Sequence, residues 1–200
     1  MASGLHIGLL GGSFNPAHAG HMHVSRVGLE YLGLDYVWWL VSPQNPLKPI
    51  AGMAAFDQRL AWARALATHP RIRVSDIEVD LGTQFTIDTL TALKRRFREV
   101  SFVWLMGSDI LEGFQRWRRW QEISAIMPIA VVVRPGSTLA PLYAKMAQRF
   151  ARARRAPSRH IAEAPPPVFA VIDAPRNGQS ATAIREKLVR ATATQGAVRY

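Results

Sequence analysis

The fold of this chain is decided by one stretch near its start, Gly11-Gly12-Ser13-Phe14-Asn15-Pro16-Ala17-His18-Ala19-Gly20-His21. The apolar run before it, residues 5–10, predicts a buried first strand. In residues 22–32, which follow it, apolar side chains recur at helical spacing and predict a helix. The expected order is a strand, a glycine-rich turn, and a helix with two histidines in its first turns.

This stretch has the features of a phosphate-binding site. Glycines let the backbone turn sharply and approach a ligand closely. A helix N-terminus offers N–H groups and the positive end of the helix dipole. His18 and His21 are three residues apart, so they share one helix face at that end. A single histidine or a single Gly-Gly turn is usually structural, but the combination favours phosphate chemistry.

Composition narrows the classes to which the chain can belong. Its 200 residues are 48% hydrophobic and 20% charged, which predicts one globular domain over residues 1–200. The absence of cysteine excludes disulfides and thiolate metal sites. No apolar run is long enough to cross a membrane, and the start lacks the pattern of a signal peptide, so we expect a cytoplasmic protein.

The charge balance favours anionic partners. With 25 Lys and Arg against 14 Asp and Glu, the net charge is +11, which suits nucleotides, polyphosphate or nucleic acid. Basic residues are concentrated in three segments, 94–98, 116–119 and 149–159. The last segment fits either a nucleic-acid patch or a solvated helix end and loop, and we favour the second interpretation.

Strands and helices alternate along the rest of the chain. Further strands are predicted at residues 36–41, 72–74, 77–79, 100–106, 129–133 and 168–172. Helices are predicted at residues 56–67, after 83–90 as far as Arg98, at 111–120, at 139–150, and from Ser180 onward. This alternation predicts an α/β fold in a single domain, with a Rossmann-like, doubly wound and mainly parallel sheet.

Loops that follow strands are candidate binding segments, because ligands of open parallel sheets bind at the carboxyl ends of the strands. The loop 42–49 follows the second strand and carries Lys48, and a turn at 107–109 follows a later strand. Ser180 is a good helix N-cap, and Arg185 in the same helix can reach a phosphate with two hydrogen bonds.

Two other features have a structural and a functional interpretation. Thr86 or Asp88 is expected to cap the helix that begins near them. Phe114, Trp117 and Trp120 recur at intervals of three, which is typical of a helix face in the core. One of these rings could instead stack on a planar heterocycle, because the segment follows a turn at the ligand edge.

The quoted stretch contains the pattern G-x-F-N-P-x-H-x-G-H, which matches the signature of the nucleotidyltransferase superfamily. Residues 83–90, residues 106–111 with the three aromatics after them, and the motif Ser180-x-Thr182-x-Ile184-Arg185 follow in one order. Together they resemble the bacterial nicotinate-nucleotide adenylyltransferases over nearly the whole chain. The resemblance implies that the 5′-phosphate of nicotinate mononucleotide attacks the α-phosphorus of ATP, giving the dinucleotide and pyrophosphate.

The resemblance also implies roles for individual residues. Those expected to bind ATP are Gly11, Gly12, Ser13, Phe14, His18, His21, Gly107, Asp109, Ser180, Thr182, Ile184 and Arg185. Among them, His18, His21 and Arg185 would be catalytic. The mononucleotide would be held by Asn15, Lys48, Thr86 and Trp117. Mg²⁺ is the expected cofactor, carried by the ATP phosphates and not by a cage of protein ligands.

ATP and nicotinate mononucleotide are therefore the expected partners, without specific nucleic-acid or membrane binding, and a homo-oligomer is left open. Two rivals remain: an adenylyltransferase for the amide mononucleotide or another phosphate monoester, and a nucleic-acid-binding module. We expect the acid to be preferred. Backbone N–H groups of loop 42–49 and of the turn around Thr86 would suit the two acceptor oxygens of a carboxylate.

Overall fold

Seven strands form a parallel sheet in the computed structural model, which describes residues 4–44, 51–133 and 145–174. The strands are β1 (His6–Gly12), β2 (Tyr36–Val41), β3 (Ile72–Ser75), β4 (Ser101–Gly107), β5 (Ile129–Val132), β6 (Arg154–Arg155) and β7 (Phe169–Ile172). Their order is β3-β2-β1-β4-β5-β7-β6, and each pairing is parallel. Because both faces of the middle of such a sheet are buried, β1, β2, β4, β5 and β7 are mostly apolar, whereas β3 and β6 at the edges carry arginines.

Helices cover both faces of this sheet. They are α1 (Ala19–Tyr31), α2 (Phe56–Leu66), α3 (Ile77–Asp80), α4 (Thr86–Arg96), α5 (Leu111–Phe114), α6 (Trp120–Ile126) and α7 (Lys145–Arg149). Successive side chains of a strand point to opposite faces. Leu10 therefore packs in the core cluster that includes residues of α1 and α2, while Leu9 packs with residues of α4, α5 and α6. The predicted Rossmann-like, doubly wound sheet is confirmed.

None of the helices that the structure describes has the length and apolar character needed to cross a membrane. Strand β2 begins and ends at the predicted residues, and Leu60 and Ala63 of α2 pack in the core. Of the predicted helix 139–150, the structure describes the part from residue 145, where α7 lies.

The predicted strand at residues 77–79 is wrong, because this segment forms the helical turn α3. The N–H of Val79 donates to Asp76 O at 2.8 Å, and the N–H of Leu81 donates to Ile77 O at 2.9 Å. Gly82 follows with a φ of 60°, the left-handed conformation that commonly ends a helix. Three residues that alternate apolar and polar are too few to separate a strand from a turn of helix.

The predicted capping of α4 by Thr86 or Asp88 is also wrong. The N-cap position is occupied by Phe85, and no side chain bonds to the free N–H groups there. Thr86 is instead the first residue of the helix, and a carboxylate oxygen of Asp88 lies 4.0 Å from Nη1 of Arg118.

The predicted helix at residues 111–120 is interrupted. Helix α5 ends at Phe114 and α6 begins at Trp120, with Arg119 in the left-handed conformation at a φ of 50° between them. The aromatic rings nevertheless pack together, at centre distances of 5.0 Å for Phe114 and Trp117 and 6.2 Å for Phe114 and Trp120. Phe114 lies in the core as predicted, whereas Trp117 and Trp120 are half-buried against it, and the helix that was expected to carry them is not continuous.

The basic segment 149–159 lies at the edge of the sheet. It contains the end of α7, a 3₁₀ turn at Ala151–Ala153 and the two-residue strand β6, which the sequence analysis did not predict. The arginines of β6 are exposed. This arrangement agrees with a solvated helix end and adds a short edge strand to it.

Candidate active site

A cavity of about 450 Å³ lies at the carboxyl ends of β1 and β4. Strand β1 pairs with β2 on one side and with β4 on the other, so this is the point at which the strand order reverses. Open α/β sheets bind ligands at such a point. The residues that line the cavity are Gly11, Gly12, Ser13, Ser42, Glu78, Gln84, Phe85, Thr86, Trp104, Asp109, Ile110, Gly113, Arg116, Trp117 and Arg118.

The two glycines at the end of β1 meet different neighbours. A Cβ on Gly11 would lie 2.5 Å from Cη2 of Trp104, a contact that real Cβ atoms do not make, so glycine lets the indole cover this position. A Cβ on Gly12 would lie 3.5 Å from Cε2 of Phe14 and 3.9 Å from Nε2 of His21. The imidazole of His21 is therefore next to a residue that lines the cavity.

His18 and His21 lie at the N-terminus of α1, with their ring centres 4.0 Å apart. Nδ1 of His18, the N-cap residue, accepts the N–H of Gly20 at 3.1 Å, and Nδ1 of His21 accepts the N–H of His18 at 3.2 Å. Because each Nδ1 lone pair is used in this way, the neutral rings carry their proton on Nε2. Both imidazoles therefore offer an Nε2–H donor at the positive end of the helix.

Two buried aromatic rings pack near the His21 ring. The buried ring of Phe14 has its centre 4.5 Å from that of His21 and 5.2 Å from that of Trp39. Nε1–H of Trp39 donates to Oγ of Ser25 at 2.7 Å, and this hydroxyl donates to the carbonyl oxygen of His21 at 2.8 Å. Ring and backbone of His21 are both fixed by buried neighbours.

Two further side chains tie the glycine-rich turn to the segments beside it. Nδ2 of Asn15 donates to Gly52 O at 3.0 Å, and its Oδ1 accepts the N–H of Ala54 at 3.1 Å. Arg59 on α2 is only 1% exposed. Its guanidinium donates, at distances from 2.7 to 3.1 Å, to the carbonyl oxygens of Ser13, Ser42, Pro43 and Ala54. Burial lowers the pKa of Arg59.

The opposite side of the cavity is aromatic and cationic. The Trp117 ring packs edge-on against Trp104, with centres 6.1 Å apart. The guanidinium carbon of Arg118 lies 4.6 Å from the ring centre of Phe85. Thr86, the first residue of α4, follows Phe85 directly. The start of α4 and the segment that carries Trp117 and Arg118 therefore meet at this side of the cavity.

Two acidic residues line the cavity in different environments. Glu78 is 8% exposed, and burial raises its pKa to about 7, although hydrogen bonds from Thr89 and Ser42 act in the opposite direction. Thr89 Oγ1 donates to Oε1 of Glu78 at 3.2 Å, while Oε2 is buried without a hydrogen-bond partner in the described part of the chain. Asp109, in the 3₁₀ turn Ser108–Ile110 after β4, is exposed.

The predicted site residues fall into three groups. Gly11, Gly12, Ser13, Thr86, Asp109 and Trp117 line the cavity. Beside it are His18 and His21 at the start of α1, Phe14 and Asn15 in the turn before α1, and Gly107 at the end of β4. Lys48, Ser180, Thr182, Ile184 and Arg185 lie outside the described residues, and their roles stay predictions.

The sequence profile of the cytidylyltransferase-like family matches residues 9–187. The chain is 53% identical over 189 residues to the probable nicotinate-nucleotide adenylyltransferase of Parvibaculum lavamentivorans, and the alignment covers 94% of both chains. It is 52% identical over 185 residues to the probable nicotinate-nucleotide adenylyltransferase of Methylorubrum extorquens, with 92% of this chain and 100% of that one covered. The chain belongs to the nicotinate-nucleotide adenylyltransferase family.

Solved structures of low sequence identity share this fold. Plasmodium falciparum nicotinic acid mononucleotide adenylyltransferase complexed with NaAD matches with a TM-score of 0.68 and 16% identity, over 91% of this chain and 83% of that one. The same enzyme complexed with APC matches with a TM-score of 0.66 and 16% identity over the same shares. At this identity the match bears on the fold, and it agrees with the sheet described above.

Sequence reasoning missed several cavity residues of this member of the adenylyltransferase family. They are Ser42, Glu78, Gln84, Phe85, Trp104, Ile110, Gly113, Arg116 and Arg118. It also missed Arg59, for which a signal exists. Arg59 is three residues after Phe56 and four before Ala63, so it lies on the apolar face of α2, where a charged residue is unusual.

Proposed function

We propose that the cavity holds ATP and nicotinate mononucleotide together, and that the chain transfers the adenylyl group of ATP to the mononucleotide. The products are nicotinate adenine dinucleotide and pyrophosphate. Membership of the nicotinate-nucleotide adenylyltransferase family supports this reaction. The observation that carries the proposal is the pair of Nε2–H donors that His18 and His21 offer at the N-terminus of α1.

The reaction needs positioning and charge stabilisation more than proton transfer. A 5′-phosphate oxygen of the mononucleotide forms a bond to the α-phosphorus of ATP, and the bond from that phosphorus to the oxygen of pyrophosphate breaks. The attacking oxygen is already an anion, so no general base is required. Phosphoryl transfer of this kind is accelerated by fixing the in-line geometry and by donors that meet the developing charge.

We assign the phosphates of ATP to residues 11–21, which we call the phosphate side of the cavity. The Nε2–H groups of His18 and His21 are oriented before substrate arrives, at the positive N-terminal end of the α1 dipole. Such preorganised donors stabilise transition-state charge without reorganising during the reaction. Ser180 and Arg185, in the predicted second phosphate motif, would hold the leaving pyrophosphate from the other side.

We assign the pyridine ring of the mononucleotide to a pyridine side formed by Phe85, Thr86, Trp117 and Arg118. Trp117 offers an aromatic surface for stacking. Asp109 would accept hydrogen bonds from ribose hydroxyls of ATP beside Gly107.

The remaining assignments are more indirect. Asn15 holds the segment at Gly52 and Ala54 and would act on the mononucleotide through it. Lys48 would contact the mononucleotide from the loop after β2.

We propose that Mg²⁺ enters with the ATP phosphates and not on protein ligands. The donors on the phosphate side are N–H groups, which suit phosphate oxygens and not a cation. The Nδ1 lone pairs of His18 and His21 already accept backbone N–H groups, so neither ring has a free lone pair to bind metal. When bound, Mg²⁺ would neutralise part of the phosphate charge and keep several waters.

Pyrophosphate release measured with a panel of acceptors tests this proposal. The panel is nicotinate mononucleotide, its amide, and a phosphate monoester without a pyridine ring, each with ATP and Mg²⁺. We expect the acid to give the highest kcat/KM. Equal turnover of all three would contradict the assignment of the pyridine side. No turnover, together with a nucleic-acid complex that survives physiological salt, would favour the binding-module alternative.

A further inference from the structure

Arg118 supplies a positive charge at the pyridine side of the cavity. Its guanidinium lies over the Phe85 ring at 4.6 Å, and its Nη1 lies 4.0 Å from Oδ2 of Asp88. The side chain is 54% exposed. Arg118 and Phe85 line the same cavity as Trp117 and Thr86, the two residues assigned to the pyridine ring.

The charges of the lining residues show why an anionic pyridine needs a cation here. The lining contains two acids, Glu78 and Asp109, and either of them repels a carboxylate when it is ionised. Among the lining residues that the structure describes, the cations are Arg116 and Arg118, both on the segment between α5 and α6. Of the described lining, this segment is therefore the part that offers cations to a pyridine carboxylate.

Two contacts restrain the orientation of Arg118. Stacking on Phe85 fixes the plane of the guanidinium and leaves its N–H groups pointing outward along its edge. Oδ2 of Asp88 lies 4.0 Å from Nη1 of Arg118, which is long for an ion pair. For Arg116, the structure describes no comparable ring contact within the resolved ranges, so Arg118 is the better-oriented of the two.

We propose that Arg118 binds the pyridine carboxylate and is the residue that selects nicotinate mononucleotide over its amide. This inference rests on the proposed function. A guanidinium fits a carboxylate through two parallel, charge-assisted hydrogen bonds. A carboxamide has one acceptor oxygen and no charge, and its NH₂ group would place a donor against a donor of Arg118. A mismatch of this kind gives a preference of roughly 10²-fold.

The test is the kcat/KM of both mononucleotides with the wild type and four variants, each checked for folding by its melting temperature. Arg118→Gln removes both the charge and the planar guanidinium that can make two parallel hydrogen bonds. Arg118→Lys keeps the charge but lacks that guanidinium. Arg116→Gln makes the same charge change at the other lining arginine. Arg119→Gln makes it at the next residue, which bonds to Glu122 and does not line the cavity.

We expect Arg118→Gln to lower kcat/KM for the acid by roughly 10²-fold, mainly through KM, and to change the value for the amide by less than about threefold. Arg118→Lys should give an intermediate acid-to-amide ratio. Arg116→Gln should lower kcat/KM for both mononucleotides by the same factor or leave both values unchanged. Arg119→Gln should give the wild-type kcat/KM for both.

Three results would overturn the inference. Equal losses for acid and amide in Arg118→Gln would mean that this residue acts on the phosphate that both substrates share. A collapse of the ratio in Arg116→Gln alone would assign the carboxylate to the other arginine. An unchanged ratio in Arg118→Gln, in an enzyme that still makes the dinucleotide, would reject this inference only, whereas a wild type that makes no dinucleotide would reject the proposed function as well.

Discussion

The phosphate side and the pyridine side of the cavity are built from different kinds of contact. On the phosphate side, His18 is 5% exposed, and the rings of His18 and His21 are fixed by backbone N–H groups. On the pyridine side, Arg118 is 54% exposed and is oriented by a ring and by one distant carboxylate. The first side is a rigid frame, and the second is a set of side chains on short turns.

This difference separates two tasks. Charge stabilisation in phosphate transfer depends on donors that are fixed in advance, and burial with main-chain hydrogen bonds provides that rigidity. Choice between two pyridine substituents depends on which side chain meets them. Changes on the phosphate side should therefore affect stability and turnover of every substrate, and changes on the pyridine side should affect the choice among substrates.

The largest effect is expected at Arg59, whose four hydrogen bonds hold the frame together. A hydrogen bond from a charged donor contributes roughly 1.5–3 kcal/mol, so Arg59→Ala should lower the free energy of unfolding by at least about 4 kcal/mol. Urea denaturation measures this. Arg64→Ala on the same helix, where the side chain is 60% exposed, is the matched control and should cost less than about 0.5 kcal/mol. Similar losses in the two variants would show that Arg59 does not organise the phosphate side.

His18 has two functions that can be separated by two substitutions. Asparagine can still accept the N–H of Gly20 as an N-cap, but it cannot replace Nε2–H. His18→Asn should keep wild-type stability and lose roughly 10²–10³-fold in kcat. His18→Ala should lose the same activity and also about 1 kcal/mol of stability. An Asn variant with half of the wild-type kcat would remove His18 from the catalytic assignment.

Glu78 makes stability depend on pH. Burial raises its pKa to about 7 from the ordinary 4.5 of a glutamate, so the folded chain holds this proton more tightly than the unfolded chain. The stabilisation is complete below the unfolded pKa and is lost as pH rises through the folded one. Relative to Glu78→Gln, the wild type should therefore become less stable between pH 5 and pH 8, by up to about 3 kcal/mol.

Melting temperatures of both proteins across this pH range measure the effect. Glu30→Gln, at an exposed position of α1, is the control and should follow the wild type. Parallel curves for the wild type and Glu78→Gln would mean that Glu78 titrates as it does in the unfolded chain.

The smallest effect is expected at Trp117, which contributes surface and not charge to the pyridine side. Stacking of a base on an aromatic side chain contributes about 1–3 kcal/mol, so Trp117→Ala should lower kcat/KM for both mononucleotides by roughly tenfold. The ratio of acid to amide should stay nearly constant. Trp117→Phe, which keeps a ring against Trp104, controls for the loss of packing. A large change in the ratio would assign substrate choice to stacking and not to Arg118.

The sequence predicted the phosphate side better than the pyridine side for a physical reason. The glycine-rich turn and the histidines are contiguous, and a strand followed by a helix fixes their place at a sheet edge. The pyridine side joins Phe85 and Arg118, which are far apart in sequence and lie on turns without periodicity. Such a pairing depends on tertiary packing, which no local pattern encodes.

Burial was the other property that local patterns could not give. Glu78 belongs to a stretch that alternates like a strand, and its raised pKa comes from burial that only the fold creates. Arg59 is an ordinary helix residue by propensity. Its importance comes from the carbonyl oxygens of three separate segments, which the fold brings within reach.

The most direct test of the account follows the phosphorus atoms of ATP. The enzyme is incubated with nicotinate mononucleotide, Mg²⁺ and ATP labelled at either the α- or the γ-phosphate. We predict that the α label enters nicotinate adenine dinucleotide and that the γ label leaves in pyrophosphate, one pyrophosphate for each dinucleotide. Transfer of the γ label to the mononucleotide, or ATP cleavage without dinucleotide, would contradict it.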